Sequence, residues 1–334
     1  TIMGEVDLIK ALQMQPGVSP GLEGLAGMMV RGGNDDQNLF LIDGNPIYQM
    51  NHLGGLFSAF NVAAIRDVAF YKSSFPARYG GRLSSVVDVT TQPGDAERYH
   101  VNFGIGLTSA NVGVSGPIVK GRTSFNIALR RTWFDVITTP ALAIANVDSK
   151  RNGEKYNAHY AFTDFNLHLN HRTNRWGTFS FVGYAGQDDI STGTDSWNQS
   201  ANTPKDEVRD KYEMGMRWGN RLASFKWQLP LGEHWMHNLT LAYTRYGSKC
   251  HFIFDDEAGR PGLEGYSHNY LYKEIRNGID DWNARSQWVW APQLPLTLRL
   301  GLDYTYHRFS PEDRITNSSQ STILDEPNRR QVVK

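Results

Sequence analysis

The chain lacks most of the features from which a function is usually read. It holds one cysteine in 334 residues, which excludes an internal disulfide and a cysteine-based zinc site and leaves Cys250 as an incidental strand residue. No stretch approaches the ~18 uninterrupted apolar residues of a membrane-spanning helix. Charge of either sign is not in excess, since 34 basic residues balance 34 acidic ones, and this argues against nucleic-acid binding through a broad positive potential. There is no HExxH, no Walker loop and no G-x-S-x-G elbow, and Gly104-Ile105-Gly106 lacks the rest of a dinucleotide fingerprint, so the chain is not read as an enzyme. The histidines are scattered. His168 and His171 lie three apart on a predicted strand, hence on opposite faces, and make a poor metal pair. The start, Thr1-Ile2-Met3-Gly4-Glu5, has neither a basic leader nor an apolar core, so the expectation is a processed or trimmed chain.

Aromatics and glycine are plentiful. Aromatic residues make up 12%, with 32 Gly, 15 Tyr and 9 Trp, while the mean hydropathy is −0.47. A chain that is polar on average but laced with aromatics fits strands with one face on lipid and the other on a wet lumen. From Val101 onward Val101, Phe103, Ile105 and Leu107 alternate with polar or small residues. The parity then flips to Ala110, Val112 and Val114, which a hairpin at Thr108-Ser109 explains. Arms of about ten residues suffice to cross a tilted outer-membrane wall. The alternation recurs at Phe125, Ile127 and Leu129, at Phe165, Leu167 and Leu169, and over Leu296, Leu298, Leu300, Leu302, Tyr304 and Tyr306. On that last strand a charge facing lipid would cost about 2 to 4 kcal/mol, so Arg299 and Asp303 are predicted to face the lumen. Tyr304, Tyr306, Trp288, Trp290, Trp235 and Trp133 are predicted girdle residues. Short turns at 120–121, 174–177, 232–234 and 291–293 oppose long polar loops at 136–158, 190–211 and 253–273, and the pattern gives about nine strands.

Residues 1–95 have a different grammar. Val6, Leu8, Ile9 and Leu12 share a helical face that Pro16-Gly17 ends. Strands are predicted over 38–42, 68–72 and 84–90, with helical turns carrying Leu56, Phe57, Phe60 and Ile65 between the first two. The ordered segments are Arg31-Gly32-Gly33, Leu39-Phe40-Leu41-Ile42-Asp43-Gly44-Asn45-Pro46, Val68-Ala69-Phe70-Tyr71-Lys72 and Pro76-Ala77-Arg78-Tyr79-Gly80-Gly81-Arg82-Leu83-Ser84-Ser85-Val86-Val87-Asp88-Val89. This series resembles the plug domain of TonB-dependent outer-membrane receptors, especially the branch common in Bacteroidetes. The continuation after Tyr79-Gly80 departs from the enteric pattern and weakens any transfer of siderophore or vitamin specificity.

The resemblance implies a mixed α/β plug over 1–95 and, over 96–334, the N-terminal portion of a transmembrane β-barrel. Receptors of this type close with about 22 strands, and an open edge in lipid is not tolerated, so further strands are expected elsewhere. The implied function is active transport of a scarce solute across the bacterial outer membrane, with the plug gating the barrel and long loops outside. The alternative is a structural component of an outer-membrane assembly or secretion complex, because a fold does not fix its use. A secreted soluble β-rich enzyme is a third reading. The implied partners are a TonB-ExbB-ExbD energy-coupling system, an outer-membrane lipoprotein and membrane lipid, and the TonB box is expected to precede residue 1. Arg31, Gly32, Gly33, Asp43, Gly44, Arg78, Tyr79, Gly80, Gly81 and Arg82 are assigned to the plug frame and gate, with Asp43, Asp67 and the arginines bonded to one another, to backbone or to the wall. Asp35, Asp36, Trp197, Tyr266 and Tyr270 are candidates for contacting ligand. No cofactor is expected. Asp188-Asp189 with Asp195, and Asp255-Asp256-Glu257, could supply oxygens to calcium, although solvated loops are the preferred reading.

Overall fold

The computed structural model describes residues 7–20, 27–198, 207–262, 265–293, 295–321 and 329–333. Helix α1 (Leu8–Gln13) buries Ile9 and Leu12 and is capped by the Asp7 carboxylate, which accepts from the Lys10 amide at 3.0 Å. Glu5 and Val6 of the predicted helix lie outside the described residues. Gly17, at φ +79°, turns the chain into strand β1 (Val18–Pro20), which pairs with β2 (Met28–Val30).

A four-stranded sheet follows, formed by β3 (Asn38–Ile42), β4 (Asn45–Pro46), β7 (Ile65–Tyr71) and β8 (Ser85–Thr91) in the order β4-β3-β8-β7. Strand β3 runs parallel to β8 and the other pairs are antiparallel. Asp43 and Gly44 both take positive φ, +50° and +79°, the requirement of a two-residue primed turn between β3 and β4. Between these halves lie a small hairpin of β5 (Asn51–His52) and β6 (Phe57–Ser58) and two short 3₁₀ turns, Leu53–Gly55 and Val62–Ala64. The predicted helical turns are therefore single turns around a hairpin. Phe60 joins the plug core, whereas Phe57 packs on Phe162 beyond the plug.

The rest is one antiparallel wall of eleven strands, in which most neighbours in sequence are neighbours in space. It comprises β9 (His100–Ile105), β10 (Ser109–Val119), β11 (Thr123–Thr132), β12 (Glu154–Arg172), β13 (Thr178–Trp197), β14 (Val208–Leu231), β15 (Trp235–Ala258), β16 (Ser267–Trp290), β17 (Leu298–Phe309), β18 (Glu312–Ser321) and β19 (Arg329–Val333). β17 pairs with one half of β16 and β18 with the other, so the two occupy a single lane. The edges β9 and β19 do not pair with each other among the described residues. No described helix is long and apolar enough to cross a membrane.

Two sequence expectations about the wall are corrected. Strands β12 to β16 run 19 to 24 residues rather than about ten, and much of the predicted long loops at 190–211 and 253–273 is strand. A 24-residue strand is roughly 80 Å long, far more than the ~25 Å apolar band of an outer-membrane barrel, and the excess mixes polar and apolar residues on both faces, as at Phe252, Ile253 and Phe254, leaving no period to read. The predicted loop 136–158 contains helix α2 (Phe134–Arg151), with Asp135 in its first turn and Lys150 and Arg151 in its last, both matched to the helix dipole.

The alternation sets which face meets the plug. Even-numbered positions on β12 to β14, among them Phe162, Asp164, Val182, Tyr184, Leu222 and Ser224, are buried. Val182, Tyr184, Leu222 and Ala242 of the wall join Ile9, Met28, Phe40, Val87 and Val89 of the plug in one core. The opposite face is an apolar belt of Val101, Phe103, Val112, Ile127, Leu129, Phe165, Phe181, Phe225, Leu241, Leu300 and Leu302, with Leu302 80% exposed. Aromatics flank it. Trp235 meets Trp290 at 6.2 Å near the short turns, and Phe179, Trp227, His237 and Trp288 form a row across four strands, with Phe179 stacked on Trp227, His237 stacked on Trp288 and Trp227 edge-on to His237. Tyr243, Trp282 and Tyr306 form a second row further along the same strands, with ring contacts at 5.3 and 5.7 Å. Trp133 stands apart, at the start of α2. Asp303 faces the plug side as expected, bonded to Arg285, and Arg299 shares its parity on β17.

Candidate functional site

The densest polar chemistry lies where the plug meets the wall. His52, at the end of β5, has both ring nitrogens on carboxylates from adjacent wall strands: Nδ1 is 2.6 Å from Asp188 of β13 and Nε2 is 3.0 Å from Asp164 of β12. A neutral imidazole donates from one nitrogen only, so two carboxylate partners select the imidazolium. Burial alone would lower the His52 pKa, but Asp164 and Asp188 outweigh it and raise it to about 9. Arg130 of β11 binds Asp164 through Nε and Nη2 at 2.9 and 2.6 Å and donates to the Ser58 carbonyl of the plug at 2.6 Å. Tyr160 and the Leu53 amide donate to Asp188 at 2.8 and 3.2 Å, and Tyr184 donates to Asp164 at 3.1 Å. The His52 ring lies flat on Phe162 at 4.0 Å, with the Arg130 guanidinium over that ring at 5.1 Å. Two cations thus balance two anions in a buried cluster whose lone pairs and protons are largely used.

Further contacts tie the plug to the strands beyond. Arg285 of β16 donates to the Gly44 carbonyl at 3.1 Å while its Nε holds Asp303 at 2.6 Å. Tyr48 bonds Asp281, which His307 also contacts at 2.7 Å. Asn45 donates to Ser224 at 3.1 Å, the Tyr48 amide donates to Asn220 at 3.1 Å, and Thr91 meets His168 at 2.7 Å. Short polar side chains on the inner face of the wall therefore read the plug backbone as well as its side chains.

Of the residues singled out from sequence, Asp43, Gly44, Arg78 and Tyr79 converge at one end of the plug sheet. Asp88 joins them: it accepts from the Gly44 amide at 3.0 Å and from the Tyr79 hydroxyl at 2.9 Å, while Arg78 donates to that hydroxyl at 2.6 Å. Burial, and then Asp88, hold the Tyr79 phenol above its usual range. Asp43 accepts from the Thr91 amide and hydroxyl at 3.2 and 2.5 Å, yet burial keeps its carboxyl above the ordinary range. A side chain at Gly44 would start 2.8 Å from the Arg285 guanidinium, so glycine serves both the turn and the wall contact.

The remaining plug residues stand elsewhere. Arg31, at φ +50°, donates to Ser73; Gly32 and Gly81 take positive φ; a Cβ on Gly33 would collide with Ser84; and Arg82 is exposed, donating to the Gly81 carbonyl. Gly80 lies in open space. The charges do not bind one another: Asp67 pairs with Arg66 at 2.9 Å instead. Asp35 accepts from the Met28 amide at 2.8 Å, with burial raising its pKa, and Asp36 is exposed. Trp197 ends β13, Tyr270 lies within β16, and Tyr266 just precedes it, buried and bonded to Glu257 at 3.2 Å. No hydrogen bond or ring contact joins these candidates to one another among the described residues.

The acidic pairs read as loops lie on strands. Asp188 points inward to His52 and Asp189 outward to Arg217, while Asp195 pairs with Arg209 and Asp255 with His268. Among the described residues no group of three or more His, Cys, Asp or Glu side chains is arranged to hold a metal ion. His52, Arg130, Asp164 and Tyr48 were not singled out from sequence. The available signal was a charged residue at the buried parity of a strand, seen at Arg130 and Asp164.

Residues 3–87 match the family described as TonB-dependent Receptor Plug Domain. No curated protein matches the chain. Among solved structures the chain is similar to the unliganded ferric citrate transporter FecA, at 12% identity and a TM-score of 0.39, over 96% of this chain and 59% of that one. It is similar to the siderophore receptor PirA from Pseudomonas aeruginosa at 13% identity and a TM-score of 0.30, over 94% and 83%. It is also similar to P. aeruginosa FpvA bound to heterologous pyoverdines, at 11% identity and a TM-score of 0.41, over 98% and 51%. The chain thus spans between half and three-fifths of FecA and FpvA, and likeness at this level says nothing of what it recognises. The N-terminal unit, docked on the strand wall through His52 and its carboxylates, thus matches the plug-domain family of TonB-dependent receptors over residues 3–87.

Proposed function

We propose that the protein is an outer-membrane transporter in which residues 1–95 gate a barrel whose first strands are residues 96–334. The observation that carries this reading is the seating of the plug: a neutral cluster of His52, Arg130, Asp164 and Asp188 holds it to three wall strands, with Arg285, Tyr48 and Asn45 fixing it further round. Such an arrangement is specific in geometry yet adds little net stability, because the desolvation of paired charges offsets much of their attraction. A plug held this way can be displaced without unfolding the wall. Binding of a solute then shifts the plug between docked and displaced states, and a TonB-type motor supplies the work.

In this reading the Asp43, Gly44, Arg78 and Tyr79 corner around Asp88 is the rigid frame that moves as a unit. Asp35, Asp36, Trp197, Tyr266 and Tyr270 are offered as ligand-contacting positions, the short turns face the periplasm, and a lipoprotein could cover the outer side. The test is depletion of solutes from the medium by cells carrying the full-length gene, with the energy-coupling system present or deleted. Uptake that depends on both supports transport. Uptake that survives loss of the coupling system overturns it, and copurification with assembly factors in the absence of any uptake moves the assignment to a structural component.

A further inference from the structure

The outer face of the wall changes character abruptly above the row Tyr243, Trp282 and Tyr306. The next outward residues along the strands are Arg221, Arg245, Asp280 and Arg308, in direct register: Arg221 opposes Arg245, Arg245 opposes Asp280, and Asp280 opposes Arg308. One step further Gly219, Gly247 and Gly278 lie side by side on three strands. One step beyond these come Arg217, Lys249 and Arg276, again in register. A strip of glycine backbone thus lies between two rows of cations, the first of them interrupted by Asp280. It forms part of an open basin of about 840 Å³. A Cβ on Gly247 would meet nothing within 4 Å and one on Gly278 only Ser310 at 3.6 Å, whereas one on Gly219 would collide with the Gly186 carbonyl, so the open floor lies at Gly247 and Gly278.

Several of these cations have partners. Arg217 binds Asp189, Lys249 binds Glu274 at 2.6 Å, Arg276 binds Glu274 at 2.6 Å, and Arg245 lies 3.7 Å from Asp280. Arg221 does not: among the described residues it makes no hydrogen bond or ion pair, and its cross-strand neighbour is another arginine. Like charges directly opposed on a sheet repel, and they do so more strongly beside an apolar surface than in open water. A phosphate relieves this arrangement, because guanidinium forks bind phosphate oxygens through paired N–H donors. The position narrows its source. The cations sit at the upper edge of a lipid-facing aromatic row, at the depth where an amphiphile has its headgroup.

We propose that this glycine-floored basin binds the phosphate-bearing headgroup of a lipid in the outer leaflet, with Arg221 and Arg245 as the principal contacts and the Tyr243, Trp282 and Tyr306 row against its acyl chains. The assignment rests on the reading of the wall as a membrane-spanning barrel with its short turns in the periplasm. Acidic partners at Asp189, Asp280 and Glu274 hold the neighbouring cations in place and leave Arg221 as the vacant donor. The glycine strip lets the headgroup approach the backbone.

The test is native mass spectrometry of the full-length protein in mild detergent, with lipid A as the bis-phosphorylated probe. The same lipid with its phosphates removed and inorganic phosphate alone serve as comparisons. The expected result is retention of lipid A but not of the dephosphorylated lipid. Retention falls about tenfold or more in Arg221→Ala/Arg245→Ala, and likewise in Gly247→Trp, which fills the floor. Arg98→Ala/Lys120→Ala, at the short-turn end, retains lipid as the parent does. Heat-modifiable migration in gels confirms that each variant has folded. Equal retention of the dephosphorylated lipid, or unchanged retention in both basin variants, overturns the proposal. Full displacement of the lipid by equimolar inorganic phosphate also overturns it and reassigns the basin to a soluble anion. Solute uptake is read separately: lipid retained by a protein without coupled uptake sinks the transport reading alone, and coupled uptake with no lipid retention sinks this one alone.

Discussion

Replacing His52 by phenylalanine isolates the energetic role of the plug's main anchor. The flat stack on Phe162 at 4.0 Å survives, since one planar ring replaces another, but both hydrogen bonds to carboxylates are lost. Asp164 keeps Arg130, whereas Asp188 is left with the Tyr160 hydroxyl and the Leu53 amide and no cation. Removing one partner of a buried ion pair in this way costs about 3 to 5 kcal/mol. The assay is hydrogen exchange at the Leu53 amide, which donates to Asp188, with intrinsic exchange corrected for pH. A cost of about 3 kcal/mol raises the population of the undocked plug more than a hundredfold. The double variant His52→Phe/Asp188→Asn removes the stranded charge and should recover much of the protection.

The pH dependence follows from the same site. The His52 pKa rises from 6.5 to about 9 on docking, so its contribution is fully present below pH 6.5 and is lost as pH rises through about 9. The difference is about 3 kcal/mol, and protection of the Leu53 amide should fall across that window in the parent protein and stay flat in His52→Phe. Unchanged protection in His52→Phe, or an alkaline loss that persists without the imidazole, refutes the reasoning.

Three other outcomes are expected. Gly44→Val should destabilise the docked plug by about 2 kcal/mol or more, measured by denaturant titration of proteolytic release, because φ is +79° and the new Cβ meets Arg285 at 2.8 Å. Asp88→Asn, which weakens acceptance from the Gly44 amide and the Tyr79 hydroxyl, should cost about 1 to 3 kcal/mol and loosen the near-ultraviolet circular dichroism of Tyr79 without altering wall content. On β17, Leu302→Arg should lower the stability of the vesicle-inserted protein by about 2 to 4 kcal/mol in urea, whereas Asp303→Asn, one residue on but facing the plug, should change insertion little.

How much of this was legible from sequence follows from the range of each signal. The plug strands at 38–42 and 84–90 and the turn at Asp43-Gly44 are local, set by β-branched runs and a glycine needing positive φ, and they agree with the structure closely. The hairpin expected at Thr108-Ser109 showed itself through parity alone, and the pairing of Ala110 with Ile105 centres it one residue earlier, on Leu107-Thr108. The upper strands did not, because past the apolar belt polar and apolar residues no longer alternate: β14 runs Arg209, Asp210, Lys211 and Tyr212, and β15 carries Phe252, Ile253 and Phe254 in succession. The plug-wall site was hidden for a different reason. His52 and Asp188 are 136 positions apart, and nothing in a single sequence says that an isolated histidine and one of two adjacent aspartates meet. What a strand-by-strand reading does offer is the anomaly of charge at buried parity, at Arg130 and Asp164.

Strict alternation along the wall also limits how such a protein can change in length. One residue inserted into β12 between Asp164 and the turn at Thr173 would send Asp164 toward lipid and Phe165 toward His52 on one side of the insertion, stranding the plug's imidazolium. Two residues would leave both faces as they were. Within the wall, gains and losses are therefore tolerated in pairs, while the turns and the connection through α2 are free to take any number. Length variation among descendants of this chain should be even inside strands and unconstrained outside them.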